Sequence, residues 1–257
     1  MKIGLIGLGN AGSQLARVLH RKHLGLQAIF SRDAKKVERA GKRMRIFYTN
    51  DLSDFPLDLD LYILAVPDGA IEAVAEQLSK RIKGGGVVHV SGAQPSTILA
   101  PYFKKFGVFY PLQTLTKNRK VKFQNIPICI EAQNTELNQQ LLDLGRAISD
   151  KVHFIDDEKR AWLHVAAVMV NNFTNHLYTL SEKLTQDHDL SFDLLRPLIL
   201  ETAKKVQKLD PKKAQTGPAA RGDQETIDKH LRQLANYPDM LEVYKVLSDS
   251  LLKVGRR

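Results

Sequence analysis

The glycine-rich segment near the start of the chain has the residue types and spacing of a phosphate-binding turn. Residues 7–12 read Gly-Leu-Gly-Asn-Ala-Gly and match the pattern G-x-G-x-x-G, with an apolar run before them and a helical pattern after them. In such a turn Gly7 makes the tight bend, Gly9 leaves room for a pyrophosphate, and Gly12 lets the helix pack against the strand. The alternative is a glycine-rich turn that holds no ligand.

The phosphates of a dinucleotide would bind at the positive end of the helix dipole, on backbone N–H groups that have no partner inside the helix. The residues predicted to form this binding turn are Gly7, Leu8, Gly9, Asn10, Ala11 and Gly12.

The residues after the second predicted strand indicate which dinucleotide the turn would hold. A site for NAD requires a carboxylate there to bind the ribose hydroxyls, but Ser31 and Arg32 occupy this place. A hydroxyl and a guanidinium bind a 2′-phosphate, and Lys35 and Lys36 add positive charge nearby. The sequence therefore favours NADP over NAD. Asp33 is the rival ribose acid, although its position is better suited to capping the next helix.

Two further strand ends offer contacts to the rest of a dinucleotide. Ala65, Val66 and Pro67 end the fourth predicted strand, and Ser91 follows the fifth. Because ligands of parallel sheets bind at the carboxyl ends of the strands, we expect these residues to lie against the nicotinamide ribose and the nicotinamide. Two alternatives stay open: Asp68 fits a helix cap, and the segment after Ser91 fits a tight turn.

A long helical pattern in the second half carries polar residues that could move a proton. His164 and Asn171 are seven positions apart and share one helix face, which Asn175 joins. We predict that His164 is the acid/base group and that Asn171 positions the substrate. The alternative is a hydrogen-bonded core histidine, with the asparagines contacting neighbouring helices.

The segment over residues 217–223 is rich in glycine and proline and is predicted to be a loop. Its Arg221 could bind a substrate carboxylate or phosphate, or it could form a structural ion pair. Asp223 is best explained as the cap of the helix that follows.

The elements that must position these residues alternate between strand and helix over the first ~150 residues, which predicts a mostly parallel sheet. The helix that begins near Asp33 is predicted to end at Gly41. Beyond Ile155 the strand patterns stop, and one long helix is predicted over residues 156–186. The fold class is therefore α/β, with a Rossmann-type domain over residues 1–152 and an all-helical domain over residues 153–257.

Composition and charge exclude several classes of protein. The chain has 257 residues, and its one cysteine, Cys129, excludes a disulfide framework and a multi-cysteine zinc site. No apolar run approaches the ~20 residues that span a bilayer, so we expect a soluble cytoplasmic protein with no membrane partner. The eight histidines show no metal-ligand spacing, so no metal site is expected. The net charge of +10 comes from dispersed basic residues without a nucleic-acid motif, and no specific nucleic-acid partner is expected.

The sequence resembles the bacterial Rossmann-like proteins with a C-terminal helical domain known as DUF2520, distant relatives of pyrroline-5-carboxylate reductase and of 6-phosphogluconate dehydrogenase-like reductases. The resemblance covers nearly the whole chain and is carried by residues 7–12, 65–68, 91–93, 110–114, 164–172 and 216–223. Many relatives have His-Pro where this chain has Tyr110-Pro111, which argues against an acid/base role at Tyr110. The resemblance implies an NADP-dependent oxidoreductase without an established substrate.

These features predict hydride transfer between NADP and a small carbonyl, imine or hydroxy acid. We expect a homodimer through the helical domain, because the related reductases often pair in this way and the long helix is apolar. The alternative function is a non-catalytic NADP-binding sensor or scaffold, since the sequence shows no unmistakable catalytic pair.

Overall fold

A sheet of eight strands forms the centre of the computed structural model, which describes residues 1–116, 119 and 121–255. The strand order is β3-β2-β1-β4-β5-β6-β7-β8, and all neighbours are parallel except β6 and β7. The strands are β1 (Ile3–Ile6), β2 (Leu26–Phe30), β3 (Phe47–Thr49), β4 (Leu61–Leu64), β5 (Gly86–His89), β6 (Phe106–Pro111), β7 (Ile128–Ala132) and β8 (Val152–Phe154).

Helices cover both faces of this sheet, because buried strand residues point alternately to either side. The helices of the first part of the chain are α1 (Asn10–Arg21), α2 (Ala34–Met44), α3 (Ile71–Ser79), α4 (Thr135–Ile148) and α5 (Asp157–Ala167). Ile3 and Leu5 belong to a core cluster shared with α1, α2 and α4, whereas Ile6 belongs to a second cluster shared with α3. The predicted fold class, a Rossmann-type mostly parallel sheet followed by helices, is confirmed.

The strand order changes direction between β1 and β4, which lie side by side although β2 and β3 separate them in the chain. Crevices at such a point, outside the carboxyl ends of the strands, are where open α/β sheets bind ligands. The loops after β1 and β4, which contain Gly7 and Ala65, therefore meet at the expected binding edge.

The helix predicted over residues 156–186 is not one continuous α-helix. Helix α5 ends at Ala167, a π-helical segment spans Val168–Phe173, and α6 (Thr174–Gln186) follows. The interruption contains no proline or glycine, so no local signal in the sequence marks it. Short π-helical turns occur frequently at functional sites.

The chain forms two compact units, Met1–Asn172 and the part from Phe173 onward. The predicted domain boundary lay twenty residues earlier, after residue 152. Helix α5 belongs to the first unit because Arg160 and Asp157 bind the sheet and the loop after β5.

The second unit contains α6 and the helices α7 (Arg196–Lys205), α8 (Pro211–Ala214), α9 (Pro218–Arg221), α10 (Gln224–Gln233) and α11 (Pro238–Gly255). The prediction of a loop over residues 217–223 is wrong in part, because α9 is a short helix with Pro218 in its first turn. Within the described residues, none of the helices has the length and apolarity required to cross a membrane.

Gly41 does not end α2, as the sequence had predicted. The helix continues to Met44 and ends at Arg45, whose φ of +55° is left-handed. A Cβ atom at Gly41 would lie 2.3 Å from the Tyr48 ring, so the glycine is required for packing rather than for helix termination.

Candidate functional site

The glycines of the first loop are needed for two close backbone approaches. Gly7 has a φ of +102°, and a Cβ atom there would lie 2.4 Å from the carbonyl oxygen of Ala65. A Cβ atom at Gly12 would lie 1.9 Å from the carbonyl oxygen of Gly7. These contacts hold the start of α1 tightly against the ends of β1 and β4.

Gly9 is different, because its side-chain position is open. Within the described part of the chain, and apart from the two residues bonded to Gly9, the only atom within 4 Å of a Cβ placed there is the carbonyl oxygen of Ala65, at 3.9 Å. Gly9 occupies the N-cap position of α1 but has no side chain that could cap the helix, and the first turn contains no acidic residue. The first N–H groups of a helix have no partner within it, so this open, uncapped N-terminus fits a pyrophosphate.

A cleft of about 730 Å³ follows the carboxyl edge of the sheet from this loop to the end of β5. It brings together all but one of the residues predicted to bind the dinucleotide, and Gly12 lies behind them against Gly7. The predicted residues that line the cleft are Gly7, Leu8, Gly9, Asn10, Ala11, Ser31, Arg32, Ala65, Val66, Pro67 and Ser91.

The end of the cleft beyond β2 is basic, and its one acidic candidate is engaged elsewhere. Asp33 caps α2 by accepting a hydrogen bond from the backbone N–H of Lys36 (3.0 Å), as its position predicted. Ser31 is buried, while the side chain of Arg32 is exposed at the cleft wall. Lys36 lines both this cleft and an adjoining hollow of about 320 Å³ that also contains Arg17, Arg39 and Arg43.

The opposite end of the cleft is shaped by a turn after β5. The hydroxyl of Ser91 accepts hydrogen bonds from the backbone N–H groups of Ala93 (3.1 Å) and Gln94 (3.0 Å). Ser91 therefore lines the cleft, and its hydroxyl also stabilises a tight turn, which is the alternative that the sequence left open. Asp68 lines the cleft too, and the short 3-10 turn that begins there has no side-chain cap.

His89, at the end of β5, holds both ends of this turn through its two ring nitrogens. The sequence had not pointed to it as a residue of the site. Its Nδ1 accepts a hydrogen bond from the N–H of Ser91 (3.2 Å), and its Nε2 lies 3.2 Å from the carbonyl oxygen of Pro95. Burial lowers the pKa of His89 to about 4, so the imidazole is neutral and Nε2 carries the proton. The only signal in the sequence was one polar residue in an otherwise apolar strand.

Tyr110 and His164 form a side-chain pair at the end of β6. The tyrosine oxygen lies 3.3 Å from Nδ1 of His164, and the two rings meet edge to face at an interplanar angle of 67°. Burial raises the pKa of Tyr110, so its phenol keeps its proton at neutral pH. His164 is half-buried and lies on a cavity wall, and it has the hydrogen-bond partner that the alternative of a core histidine requires.

Gly92 connects this pair with the dinucleotide cleft. A Cβ atom at Gly92 would lie 2.6 Å from Nδ1 of His164 and 2.7 Å from Cζ of Tyr110. Ser91, directly before it, lines the cleft. A glycine is therefore required where the loop after β5 passes both side chains.

A second cavity, of about 480 Å³, opens beside the pair. The predicted residues His164 and Asn171 both line it. The side-chain oxygen of Asn172 accepts a hydrogen bond from the amide of Asn171 (3.3 Å). Asn175 lies beyond the π-helical segment, in α6. The other lining residues are Tyr110, Leu112, Gln113, Thr114, Leu163, Ala166, Ala167, Val168 and Val170.

Arg221 lies in the second compact unit, at the end of α9. Its guanidinium is 3.9 Å from the carboxylate of Asp223, which caps α10 by accepting hydrogen bonds from the N–H and hydroxyl of Thr226. The capping function predicted for Asp223 is thus confirmed, and the weak, exposed ion pair leaves Arg221 accessible.

Cys129 is buried in β7, and burial raises its pKa to about 11. Its thiol is therefore protonated at neutral pH and is an inert part of the core, as its apolar neighbours predicted.

Comparison with family models matches residues 1–113 to a Rossmann-like domain and residues 126–251 to DUF2520, a domain of unknown function. Comparison with curated proteins finds no match. The second match begins shortly before β7, so it includes the last two strands of the sheet as well as the helices that follow.

Solved structures cover the whole chain. A Bacteroides fragilis protein provisionally named an NADP oxidoreductase is 38% identical, with a TM-score of 0.92 over 98% of each chain. A Thermotoga maritima protein is 21% identical, with a TM-score of 0.85 over 99% of this chain and 100% of that one. A Plasmodium falciparum pyrroline carboxylate reductase with NADP bound is 14% identical, with a TM-score of 0.59 over 98% and 97% of the two chains, a likeness of fold.

Proposed function

We propose that this chain, which belongs to the family of Rossmann-like proteins with a C-terminal DUF2520 domain, is an NADP-dependent oxidoreductase. Its reaction would transfer a hydride to or from a small carbonyl, imine or hydroxy acid. The observation that carries this proposal is the junction at Gly92, where a cleft suited to a dinucleotide meets the Tyr110–His164 pair.

Different residues of the cleft are proposed to bind different parts of the dinucleotide. The backbone at Gly9, Asn10 and Ala11 would hold the pyrophosphate, and Ala65, Val66, Pro67 and Ser91 would hold the nicotinamide half. Leu8 would form the floor beneath the phosphates. When bound, the nicotinamide supplies or accepts the hydride.

The preference for NADP rests on charge at the far ribose. Ser31 and Arg32 offer a hydroxyl and a guanidinium to a 2′-phosphate, and Lys36 adds a second cation. The competing ribose acid, Asp33, also lines this cleft, but one of its carboxylate oxygens caps α2. The provisional name of the Bacteroides fragilis relative agrees with this preference.

His164 is the proposed proton donor and acceptor. In reduction, an imidazolium at His164 would give its Nε2 proton to the oxygen or nitrogen of the substrate and would be left as a neutral imidazole. The N–H at Nδ1 would donate to the Tyr110 oxygen throughout this step, so that Tyr110 holds the ring in place. In the reverse direction the neutral ring would accept the proton at Nε2.

Two further residues are proposed to hold the substrate. Asn171 lines the same cavity as His164 and offers an amide donor and acceptor. Arg221 would bind a carboxylate or phosphate of the substrate. We assign residues 1–152 to dinucleotide binding and residues 153–257 to substrate binding and dimerisation.

Exposed apolar side chains support a homodimer. No residue of α6 or α7, both fully described, is buried. Large apolar side chains such as Leu194 and Leu198 are 70% and 63% exposed in a region without a membrane-spanning helix. Many large apolar side chains left exposed in one region are typical of an association surface, and a second copy of the chain is the proposed partner.

A fluorescence titration of NADPH and NADH tests the cofactor assignment. We expect NADPH to bind at least tenfold more tightly to the wild type, and Arg32→Glu to remove that difference. Arg45→Glu, at an exposed residue after α2, is the matched control for a change of two charge units. Equal binding of both nucleotides would contradict the NADP assignment, and binding of neither would contradict the oxidoreductase.

A further inference from the structure

We propose that Arg160 is a positioning residue that fixes helix α5 against the sheet and thereby places His164 beside Tyr110. The role in catalysis rests on the proposed function, whereas the role in geometry stands on contacts within the first compact unit alone.

Arg160 joins three separate elements although it is charged and only 1% exposed. Its Nη1 donates to the Glu131 carboxylate on β7 (3.0 Å), and its Nη2 donates to the Gln94 carbonyl oxygen in the loop after β5 (2.6 Å). Nη2 also donates to Asp157 in the first turn of α5. A buried guanidinium is retained at a large desolvation cost, so each of these bonds constrains the elements that it joins.

Asp157 continues the network to the far end of the same loop. Its carboxylate accepts hydrogen bonds from the backbone N–H (2.7 Å) and the hydroxyl (2.9 Å) of Ser96. The loop that contains Gly92 is therefore held to α5 at both Gln94 and Ser96. A shift of α5 would displace the loop and the ring that lies against Gly92 together.

The spacing along the helix matches the spacing along the sheet. Arg160 and His164 are four residues apart on one face of α5, a rise of about 6 Å. Glu131 pairs with Val108, two residues before Tyr110, and two strand residues span about 7 Å. The Arg160–Glu131 and His164–Tyr110 contacts are thus two successive connections between the same helix and the same face of the sheet.

Glu131 has a high pKa for a carboxyl group. Burial and the hydrogen bond with Asp157 together raise this pKa to about 7, against the lowering effect of Arg160. The charged groups that act on Glu131 are thus Asp157 and Arg160, both from α5. A protonated Glu131 can donate to Asp157, whereas an ionised Glu131 would oppose it.

The test follows the imidazole of His164 by NMR with ¹⁵N-labelled histidine, at one pH and without cofactor, with the signal assigned through His164→Gln. Tyr110→Phe defines the Nδ1 signal when the contact with the hydroxyl is lost. We expect Arg160→Met and Glu131→Leu to move the His164 signal toward that of Tyr110→Phe, because each removes the first connection.

Matched variants separate this effect from general damage. Glu131→Gln can still accept from Arg160 and donate to Asp157, and it should keep the wild-type signal. Lys105→Met breaks an exposed ion pair with Glu136 and should also leave the signal unchanged. NADPH affinity should change by less than threefold in all folded variants, because the parts of the cleft proposed for the pyrophosphate and the far ribose, at Gly9 and Arg32, lie outside the network.

An unchanged His164 signal in Glu131→Leu and Arg160→Met would overturn the proposal. If Arg160→Met does not fold, Glu131→Leu with its Glu131→Gln partner decides alone. Failure of the proposed function would appear separately, as a wild-type protein that binds no NADPH while the His164 signal still responds to Glu131→Leu.

Discussion

The hydroxyl oxygen of Tyr110 lies 3.3 Å from Nδ1 of His164, although 54 residues separate the two in the chain. The contact depends on a glycine between them, on a protonated phenol and on a helix held in place four residues earlier. Each of these conditions can be changed separately.

Gly92→Ala should break the contact without closing the dinucleotide cleft. The added Cβ would lie 2.6 Å from His164 Nδ1 and 2.7 Å from the Tyr110 ring, so at least one ring must move. We expect turnover to fall by at least tenfold while NADPH affinity changes by less than threefold. Gly69→Ala is the control, because nothing lies within 4 Å of its Cβ position. Equal turnover in the two variants would show that the pair is not needed.

Gly9→Ala and Gly12→Ala should separate ligand binding from folding. The Cβ at Gly9 meets no atom closer than 3.9 Å, so the free energy of unfolding of this variant should lie within about 1 kcal/mol of the wild-type value. The same Cβ would occupy the space proposed for pyrophosphate, and NADPH affinity should fall at least tenfold. Gly12→Ala places a Cβ 1.9 Å from the Gly7 carbonyl oxygen and should cost about 2 kcal/mol or more of stability. Urea unfolding and nucleotide titration measure both effects; a Gly9→Ala protein with wild-type affinity would contradict the binding site.

His89 should make the protein less stable in acid. Its pKa is near 4 in the folded chain and 6.5 without burial, so unfolding takes up a proton between these values. The stability is therefore complete above pH 6.5 and is lost as the pH falls to about 4, by up to about 3 kcal/mol. Urea unfolding at several pH values should show a rise from pH 4 to 6.5 that is smaller in His89→Asn, whose amide oxygen can still accept from Ser91.

Glu131 acts in the opposite direction over part of the same range. Its folded pKa of about 7 exceeds the ordinary 4.5, so its contribution is complete below pH 4.5 and is lost as the pH rises to about 7. Glu131→Gln should therefore make the rise in stability with pH steeper than in the wild type. An unchanged or flatter curve would mean that the pKa of Glu131 is not raised in the folded chain.

Leu198→Asp should convert a dimer into a monomer. Leu198 is 63% exposed on α7, whose residues are all described and none of which is buried. A carboxylate in an apolar contact between two copies would be desolvated without a partner. Light scattering after size-exclusion chromatography should give about twice the chain mass for the wild type and about one chain for the variant. Lys204→Asp, on the same helix, is the control; a monomeric wild type would contradict the homodimer.

Local patterns in the sequence predicted the parts of the site that a short segment encodes. The glycine turn, the hydroxyl and guanidinium of Ser31 and Arg32, and the capping function of Asp33 each depend on residues close in the chain. The predicted residues met in one cleft because the strand order brings the loops after β1, β4 and β5 to one edge.

Contacts between distant segments could not be predicted in this way. Tyr110 was set aside because many relatives have histidine there, and its value became visible only when the fold placed it against His164. Arg160 joins residues 66 and 29 positions away, and no local pattern marks such a bond. The π-helical segment was missed because its residues, Val168–Phe173, are typical of an ordinary helix.

Hydride transfer can be followed directly with deuterium. NADPH that carries deuterium at C4 of the nicotinamide is incubated with a panel of small carbonyl compounds and imines and with the wild type, Tyr110→Phe or His164→Gln. For the reverse direction, hydroxy acids deuterated at the carbinol carbon are incubated with NADP⁺ and the same three proteins. We expect deuterium to be transferred with one class of substrate, and both variants to transfer it at least 100-fold more slowly while they bind NADPH normally. Tight NADPH binding without transfer to any member of the panel would contradict the oxidoreductase and favour a dinucleotide sensor.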